Sequence, residues 1–358
     1  MELKDYNKLY ILNDLPFPTA IHKISVDLFN ATDRSSHLVH LGNSSVEWNG
    51  ISDGSLLRGV QLFPTSLNRT INFVFPKIAY SQLEPLLSGR TSEDFFIQYT
   101  NQSIHPLRKN ENDIIYINDN PNSVINTDLY SLDRLRRKLT ARNYNRYRKF
   151  SHVMANSNYV RKSIIDYGFD GEISVINPLG NPRMRILDQK KELRAKWKLP
   201  QDKKLILSVT NGVHRKNLSF VKEVVESLGD EYQLVRIGIQ VGDSITYNNV
   251  TDEEVNELFN ACDVLFFPSL EEGFGIPVIE AFAAGLPTVV SDLEIMHEVA
   301  GNAAVFIEPT DHSSGVLGIR EALNGSIEFI AKSRERSRLY TLERFNKEVS
   351  SFYSKILK

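Results

Sequence analysis

The stretch Glu271-Glu272-Gly273-Phe274-Gly275-Ile276-Pro277-Val278-Ile279-Glu280 is the part of this sequence best suited to chemistry. Two carboxylates, Glu272 and Glu280, flank a glycine-broken loop. Gly273 and Gly275 let the backbone approach a ligand with no Cβ in the way. Pro277 stands where a first helical residue would be, because its missing N–H would be unpaired there in any case. The N–H groups at such a helix start favour an anion, and a phosphate is the usual occupant. Glu272 in the loop and Glu280 one turn into the helix can face one cavity. A carboxylate beside a phosphate is unfavourable unless it binds something that wants acceptors, as sugar hydroxyls do. A phosphate ester with sugar hydroxyls on both sides, such as a nucleotide sugar, fits. A plain connection with two solvated glutamates fits the same spacing.

The elements around this loop are easy to place. The apolar run Val264–Phe267 predicts a strand buried on both faces. The helix runs through Val278–Ala284 and stops at Gly285, with Pro287 just beyond it. Val289 and Val290 begin the next strand. Strand, loop, helix, strand is half of a doubly wound sheet. Earlier in the chain, Leu205–Val209 predicts a strand, followed by Asn211-Gly212-Val213-His214-Arg215-Lys216-Asn217. Asn217 is expected to cap the helix that runs to about Leu228. Arg215 and Lys216 then stand at a helix start and add two cations to an anion site, or are plain surface charge. Helix Gln189–Trp197 precedes this strand, and Gln233–Gly238 is the strand after it. Thr251-Asp252-Glu253-Glu254 is a capping box opening a helix to Cys262.

Glu272 and Glu280, separated by seven residues with Gly-Phe-Gly-Ile-Pro between them, resemble the signature of family 4 glycosyltransferases. The flanking Pro268-Ser269 and Pro287 fit as well, and the resemblance runs from about residue 150 to about residue 310. It implies the GT-B fold and retaining transfer of a sugar. It implies that Glu272 faces the transferred sugar, that Glu280 holds the ribose hydroxyls, and that the backbone of Gly273, Phe274, Gly275, Ile276 and Pro277 meets the diphosphate. Lys216 matches the family's diphosphate lysine, while the family's arginine often sits earlier in its loop than Arg215. The segment Asn248–Val250 would press its backbone, at Asn249 and Val250, on the nucleobase. Two departures stand out. Pro16 and Pro18 occupy the first loop, where the family often has paired glycines. Asn118-Asp119 follows the strand Ile114–Ile117 where the family often has His-Asp. Asn118 can still hydrogen-bond a sugar hydroxyl but cannot carry a proton. Asp119 is kept as a sugar or acceptor contact, with an ordinary polar turn as the alternative.

A chain of 358 residues is long enough for two domains. Its 41% hydrophobic and 24% charged content suits a globular enzyme, and a net charge of −2 gives no general preference for nucleic acid. Cys262 is the single cysteine, so no disulfide framework is available. No apolar run has membrane-spanning length, and residues 1–20 lack a secretory pattern. A cytoplasmic chain is expected. The N-terminal half predicts strands at Leu9–Leu12, His37–Leu41, Val60–Phe63, Asn72–Phe75, Phe95–Tyr99, Ile114–Ile117 and Val153–Ala155, with a helix at Ala20–Asn30. Residues 131–150 carry a helical stripe of Leu132, Leu135 and Leu139, widened by Tyr144, Tyr147 and Phe150. Eight basic residues surround it, which suits either a solvated face or peripheral contact with an anionic membrane or a lipid-linked acceptor. The region from Leu339 to Leu357 reads as a closing amphipathic helix.

The expected architecture is α/β and GT-B, with two Rossmann-like doubly wound domains facing each other across a cleft. The expected boundaries are 1–180 for the acceptor-side domain, 181–338 for the nucleotide-sugar domain, and 339–358 for a helix crossing back. The expected reaction moves a hexose from UDP- or GDP-hexose to a hydroxyl of a glycan or lipid-linked acceptor, with no other cofactor. No Asp-x-Asp triplet occurs, so no metal is expected: fixed cations and a helix start replace it. A non-catalytic nucleotide-sugar-binding subunit and a GT-B-like sugar-nucleotide epimerase are the competing readings.

Overall fold

The structure, a computed structural model, describes residues 8–13, 20–32, 36–40, 56–58, 95–100, 102, 106, 110–128 and 134–356. The chain divides into two compact units. One comprises Met1–Asn126, Leu132–Asn177 and Glu343–Lys358; the other comprises Thr127–Ser131 and Pro178–Leu342.

The first unit is built on seven parallel strands: β1 (Lys8–Asn13), β2 (Ser36–His40), β3 (Leu56–Arg58), β4 (Phe95–Tyr99), β5 (Ile114–Ile117), β6 (His152–Ala155) and β7 (Glu172–Val175). Their spatial order is β3-β2-β1-β4-β5-β6-β7. The expected strands at Val60–Phe63 and Asn72–Phe75, the proline-bearing loop from residue 14 to 19 and residues 131–133 lie outside the described residues. The helices are α1 (Ala20–Asn30), α2 (Pro121–Asn126), α3 (Arg134–Tyr147) and α4 (Asn158–Asp166). Helix α3 ends at Tyr147, before the expected limit at 150. Tyr144, Tyr147 and Phe150 are buried, and the Tyr147 ring meets Phe150 edge-on at 5.1 Å and Tyr99 at 5.7 Å. The aromatic stripe is thus core packing, and Lys138, Arg142 and Lys149 are exposed.

The second unit holds six parallel strands: β8 (Lys204–Thr210), β9 (Tyr232–Gly238), β10 (Ile245–Tyr247), β11 (Val264–Phe267), β12 (Thr288–Ser291) and β13 (Val305–Ile307). Their order is β10-β9-β8-β11-β12-β13. Its helices are α5 (Lys190–Lys196), α6 (Leu218–Leu228), α7 (Asp252–Ala261), α8 (Ile276–Ala284), α9 (Glu294–Ala300), α10 (His312–Asn324) and α11 (Ser326–Ser337). The capping box at Thr251 forms as expected, with Thr251 and Glu254 bonding each other's backbone N–H. Val264–Phe267 is buried throughout, and α6 packs Val221, Val224 and Leu228 against Ile206, Leu234 and Phe266. Among the described residues, no helix is long and apolar enough to cross a membrane.

The closing helix, α12 (Leu342–Ile356), begins three residues after the expected start at Leu339 and belongs to the first unit. It buries Phe345, Val349, Phe352 and Tyr353, and the Tyr353 hydroxyl donates to Gln98 Oε1 on β4.

Candidate active site

In the second sheet the strand order reverses between β8 and β11: β9 and β10 extend to one side, β12 and β13 to the other. At such a switch point the loops leaving adjacent strands diverge and open a crevice at the carboxyl ends. The loop after β8 carries Arg215 and Lys216; the loop after β11 carries Glu272, Gly273 and Gly275.

These two loops are bonded to each other. Arg215 Nη1 donates to Glu272 Oε2 at 2.9 Å and to the Glu271 carbonyl at 3.0 Å. Lys216 Nζ donates to Glu272 Oε1 and stands 5.1 Å from the centre of the Phe267 ring. The Arg215 carbonyl accepts from Leu270 N–H at 2.8 Å. Glu272 is only 4% exposed. Burial alone would raise its pKa, but the Lys216 and Arg215 charges hold the carboxyl down at about 2.

Asn217 corrects the expectation of a side-chain cap. It occupies the N-cap position of α6 in the left-handed region, φ 55°, and makes no capping bond. Its amide instead donates to the Pro268 carbonyl at 3.1 Å and the Pro309 carbonyl at 2.8 Å. The turned backbone points the side chain across the sheet end, where it braces the loop after β11 against the loop after β13.

Gly275 sits at the N-cap of α8 with φ 95°, and a Cβ there would meet Met296 Cε at 2.9 Å. The conformation favours glycine, and any side chain there would also have to push the Met296 methyl aside. The helix starts at Ile276, so Pro277 is its second residue rather than its first; an N–H at that position would also lack an intrahelical acceptor, so proline is tolerated there. At the other end Gly285 is left-handed, φ 67°, and Leu286 N–H reaches back to the Ala281 carbonyl. Phe274 is buried against the Tyr340 ring at 5.6 Å.

Glu280 projects from the second turn of α8, is 9% exposed, and accepts the Asn181 N–H through Oε1 at 2.9 Å. Gly180 makes room for it: a Cβ there would lie 3.1 Å from Glu280 Cγ. Asn181 is missed by reading motifs, as are its neighbours in this brace. Asn181 Nδ2 donates to the Asp252 carbonyl, while Asn256 and Asn260 on α7 accept the N–H groups of Arg185 and Leu187. Two asparagines four apart on a buried helix face are the available signal. Asn249 is exposed and left-handed, φ 55°, and Val250 is half-buried; both precede the capping box directly.

Asp119 lies in the first unit. It accepts from Gln102 Nε2 at 2.9 Å, and Gln102 Oε1 accepts the Asn118 N–H at 3.2 Å. Asn118 is buried, donates its amide to the Thr100 carbonyl, and leaves Oδ1 with no hydrogen-bond partner. Burial pushes the Tyr144 hydroxyl pKa well up, with the Asp119 charge adding to it. Gln102 has no motif around it and is legible only from this geometry. Among the described residues no group of three or more His, Cys, Asp or Glu is gathered for a metal ion.

Residues 189–341 match the family described as glycosyl transferases group 1. The O-antigen chain mannosyltransferase RfbU of Salmonella typhimurium is 31% identical over 181 residues, which cover 48% of this chain and 51% of the relative. The chain thus spans about half the length of that relative. Sucrose-phosphate synthase from Thermosynechococcus elongatus superposes with a TM-score of 0.74 at 14% identity, over 98% of this chain and 99% of the other. HepE from Anabaena, solved with UDP and glucose, superposes with a TM-score of 0.73 at 12% identity, over 98% and 100%. The chain therefore has the GT-B fold, and its similarity to the glycosyl transferases group 1 family lies in residues 189–341.

Proposed function

We propose that this chain is a glycosyltransferase that moves a hexose from a nucleoside diphosphate sugar to a hydroxyl of a glycan or lipid-linked acceptor, with the anomeric configuration retained. The observation that carries the reading is the bonding of Arg215 and Lys216 to Glu272 beside the glycine-broken start of α8. Mannose is the first hexose to try, because RfbU is named for its transfer. HepE, solved with UDP and glucose, supports a nucleoside diphosphate as the carrier.

In this reading the bond between the anomeric carbon and the diphosphate oxygen breaks as the bond to the acceptor oxygen forms. The acceptor proton goes to the departing phosphate oxygen, so no separate general base is needed. Lys216, Arg215 and the N–H groups at the start of α8 stabilise the charge that builds on the diphosphate. These fixed cations take the part a divalent metal would play, and the reaction is read as metal-independent. Glu272 orients the transferred sugar, Glu280 holds the ribose, and Asn249 and Val250 meet the base. Asp119 receives the sugar or the acceptor. The exposed cations Lys138, Arg142 and Lys149 of the α3 region would hold the enzyme against an anionic lipid surface at the cytoplasmic face.

The stereochemistry tests this reading. Proton NMR of product formed from an α-linked mannosyl donor is expected to report an α-linkage. A β-linked product would overturn the retaining assignment, and a C2-epimerised donor in place of product would move the chain to sugar-nucleotide epimerisation.

A further inference from the structure

Arg236, on β9, is 0% exposed and carries a full charge into the second sheet. Its guanidinium makes four hydrogen bonds, all to neutral oxygens. Nη1 donates to Ser208 Oγ at 2.9 Å, Nη2 to the Thr210 carbonyl at 3.1 Å and its Oγ1 at 3.3 Å, and Nε to the Ile239 carbonyl at 2.8 Å. Among the described residues no carboxylate pairs with it. A buried cation normally has an anionic partner, because desolvation otherwise disfavours the charge. Burial does pull its pKa down, to about 10, which still leaves it charged at neutral pH.

Its place in the fold gives the charge a use. Thr210 ends β8 and opens the loop that carries Arg215 and Lys216. Ile239 follows the end of β9. The fork of Arg236 therefore ties the root of the cation loop to the neighbouring strand end. Packing there is tight enough to demand glycine at position 238: φ is 128°, and a Cβ would come within 2.1 Å of the Thr210 carbonyl oxygen. Gly212, inside the loop, is covered by the half-exposed Ile239 side chain, which a Cβ would meet at 2.6 Å. An aliphatic residue at 236 could pack in the sheet but would leave Thr210 and Ile239 untied.

We propose that Arg236 is a positioning residue for the diphosphate: it fixes the root of the 211–216 loop, which carries Arg215 and Lys216, and adds an interior positive charge at that root. The proposal rests on the nucleotide-sugar reading of the site and adds to it a residue that touches neither sugar nor phosphate. The 211–216 loop carries the cations read as meeting the diphosphate, so loss of the tie should weaken the diphosphate more than the monophosphate.

The test is calorimetry on R236M and R236K with UDP, GDP, UMP and GMP, each variant's fold being checked by its melting transition. The readout is the factor by which the diphosphate binds more tightly than the monophosphate of the same base. A purely structural role would weaken both ligands equally and leave that factor unchanged. The factor is expected to fall about tenfold in R236M, which loses fork and charge, and about threefold in R236K, which keeps charge alone. If R236M does not fold, R236K decides. Equal weakening of both ligands, or no weakening, in a folded variant would overturn this inference alone. A wild-type chain that binds neither nucleotide would overturn the functional reading, and this inference with it.

Discussion

Replacing Lys216 with alanine is expected to lower donor turnover by roughly 100- to 1000-fold, the usual effect of removing one preorganised group that meets developing charge. The lysine is held in advance of the reaction. Its ammonium is fixed between the Glu272 carboxylate and the Phe267 ring, in a site from which most water is excluded. Cations so placed need no reorganisation when charge builds on a leaving diphosphate. Ground-state binding should suffer far less, because Arg215 and the start of α8 remain. The measurement is nucleoside diphosphate release with donor saturating, beside donor affinity by calorimetry. A K216A chain that turns over within tenfold of wild type would take Lys216 out of the reaction. K216R is expected to rescue only in part, since a planar fork does not replace a compact ammonium at a crowded position.

Glu272→Gln is expected to separate binding from turnover. In the proposed site the Glu272 carboxylate and a diphosphate would compete for the same two cations, so removing its charge should tighten nucleoside diphosphate binding several-fold. Transfer should nevertheless fall about 100-fold, because the group proposed to orient the sugar would lose its acceptor strength. The same variant reports on stability. The Glu272 carboxyl is lowered from 4.5 to about 2 in the folded chain. A lowered pKa means stabilisation that is present above the unfolded value and lost as pH falls through the folded one. The shift corresponds to about 3 kcal/mol. E272Q should thus be less stable than wild type at neutral pH by about that amount, and the gap should close as the pH drops from 4.5 towards 2. Urea unfolding across that range measures it; a gap independent of pH would mean that the ion bonds to Arg215 and Lys216 do not stabilise the fold.

Local pattern carried much of the second unit. Val264–Phe267 is legible because a strand buried on both faces must be apolar at every position. The α8 ends are legible because Gly275, Pro277 and Gly285 each answer a backbone requirement. Contacts between distant residues are not legible in this way. Glu272 meets Lys216 across 56 positions, and only the strand order brings the two loops together. Asn217 misled because asparagine serves both as a cap and as a left-handed residue, and spacing cannot say which. Arg236 is hidden for a related reason: the one charged residue in Gln-Leu-Val-Arg-Ile-Gly reads as the solvent-facing position of a strand. The three-residue strands Leu56–Arg58 and Ile245–Tyr247 are too short for any periodicity to show. In the first unit Gln102 joins Asn118 and Asp119 through tertiary contact alone.

The loops after β8 and β11 are proposed to form a nucleoside diphosphate sugar site. Its most direct test is calorimetry of UDP, GDP, ADP and their hexose conjugates, without divalent metal, on wild type and Glu280→Ala. One nucleotide is expected to bind the wild type in the micromolar range or tighter, and about tenfold more weakly after loss of the Glu280 carboxylate. Failure of every nucleotide to bind the folded wild type would contradict it.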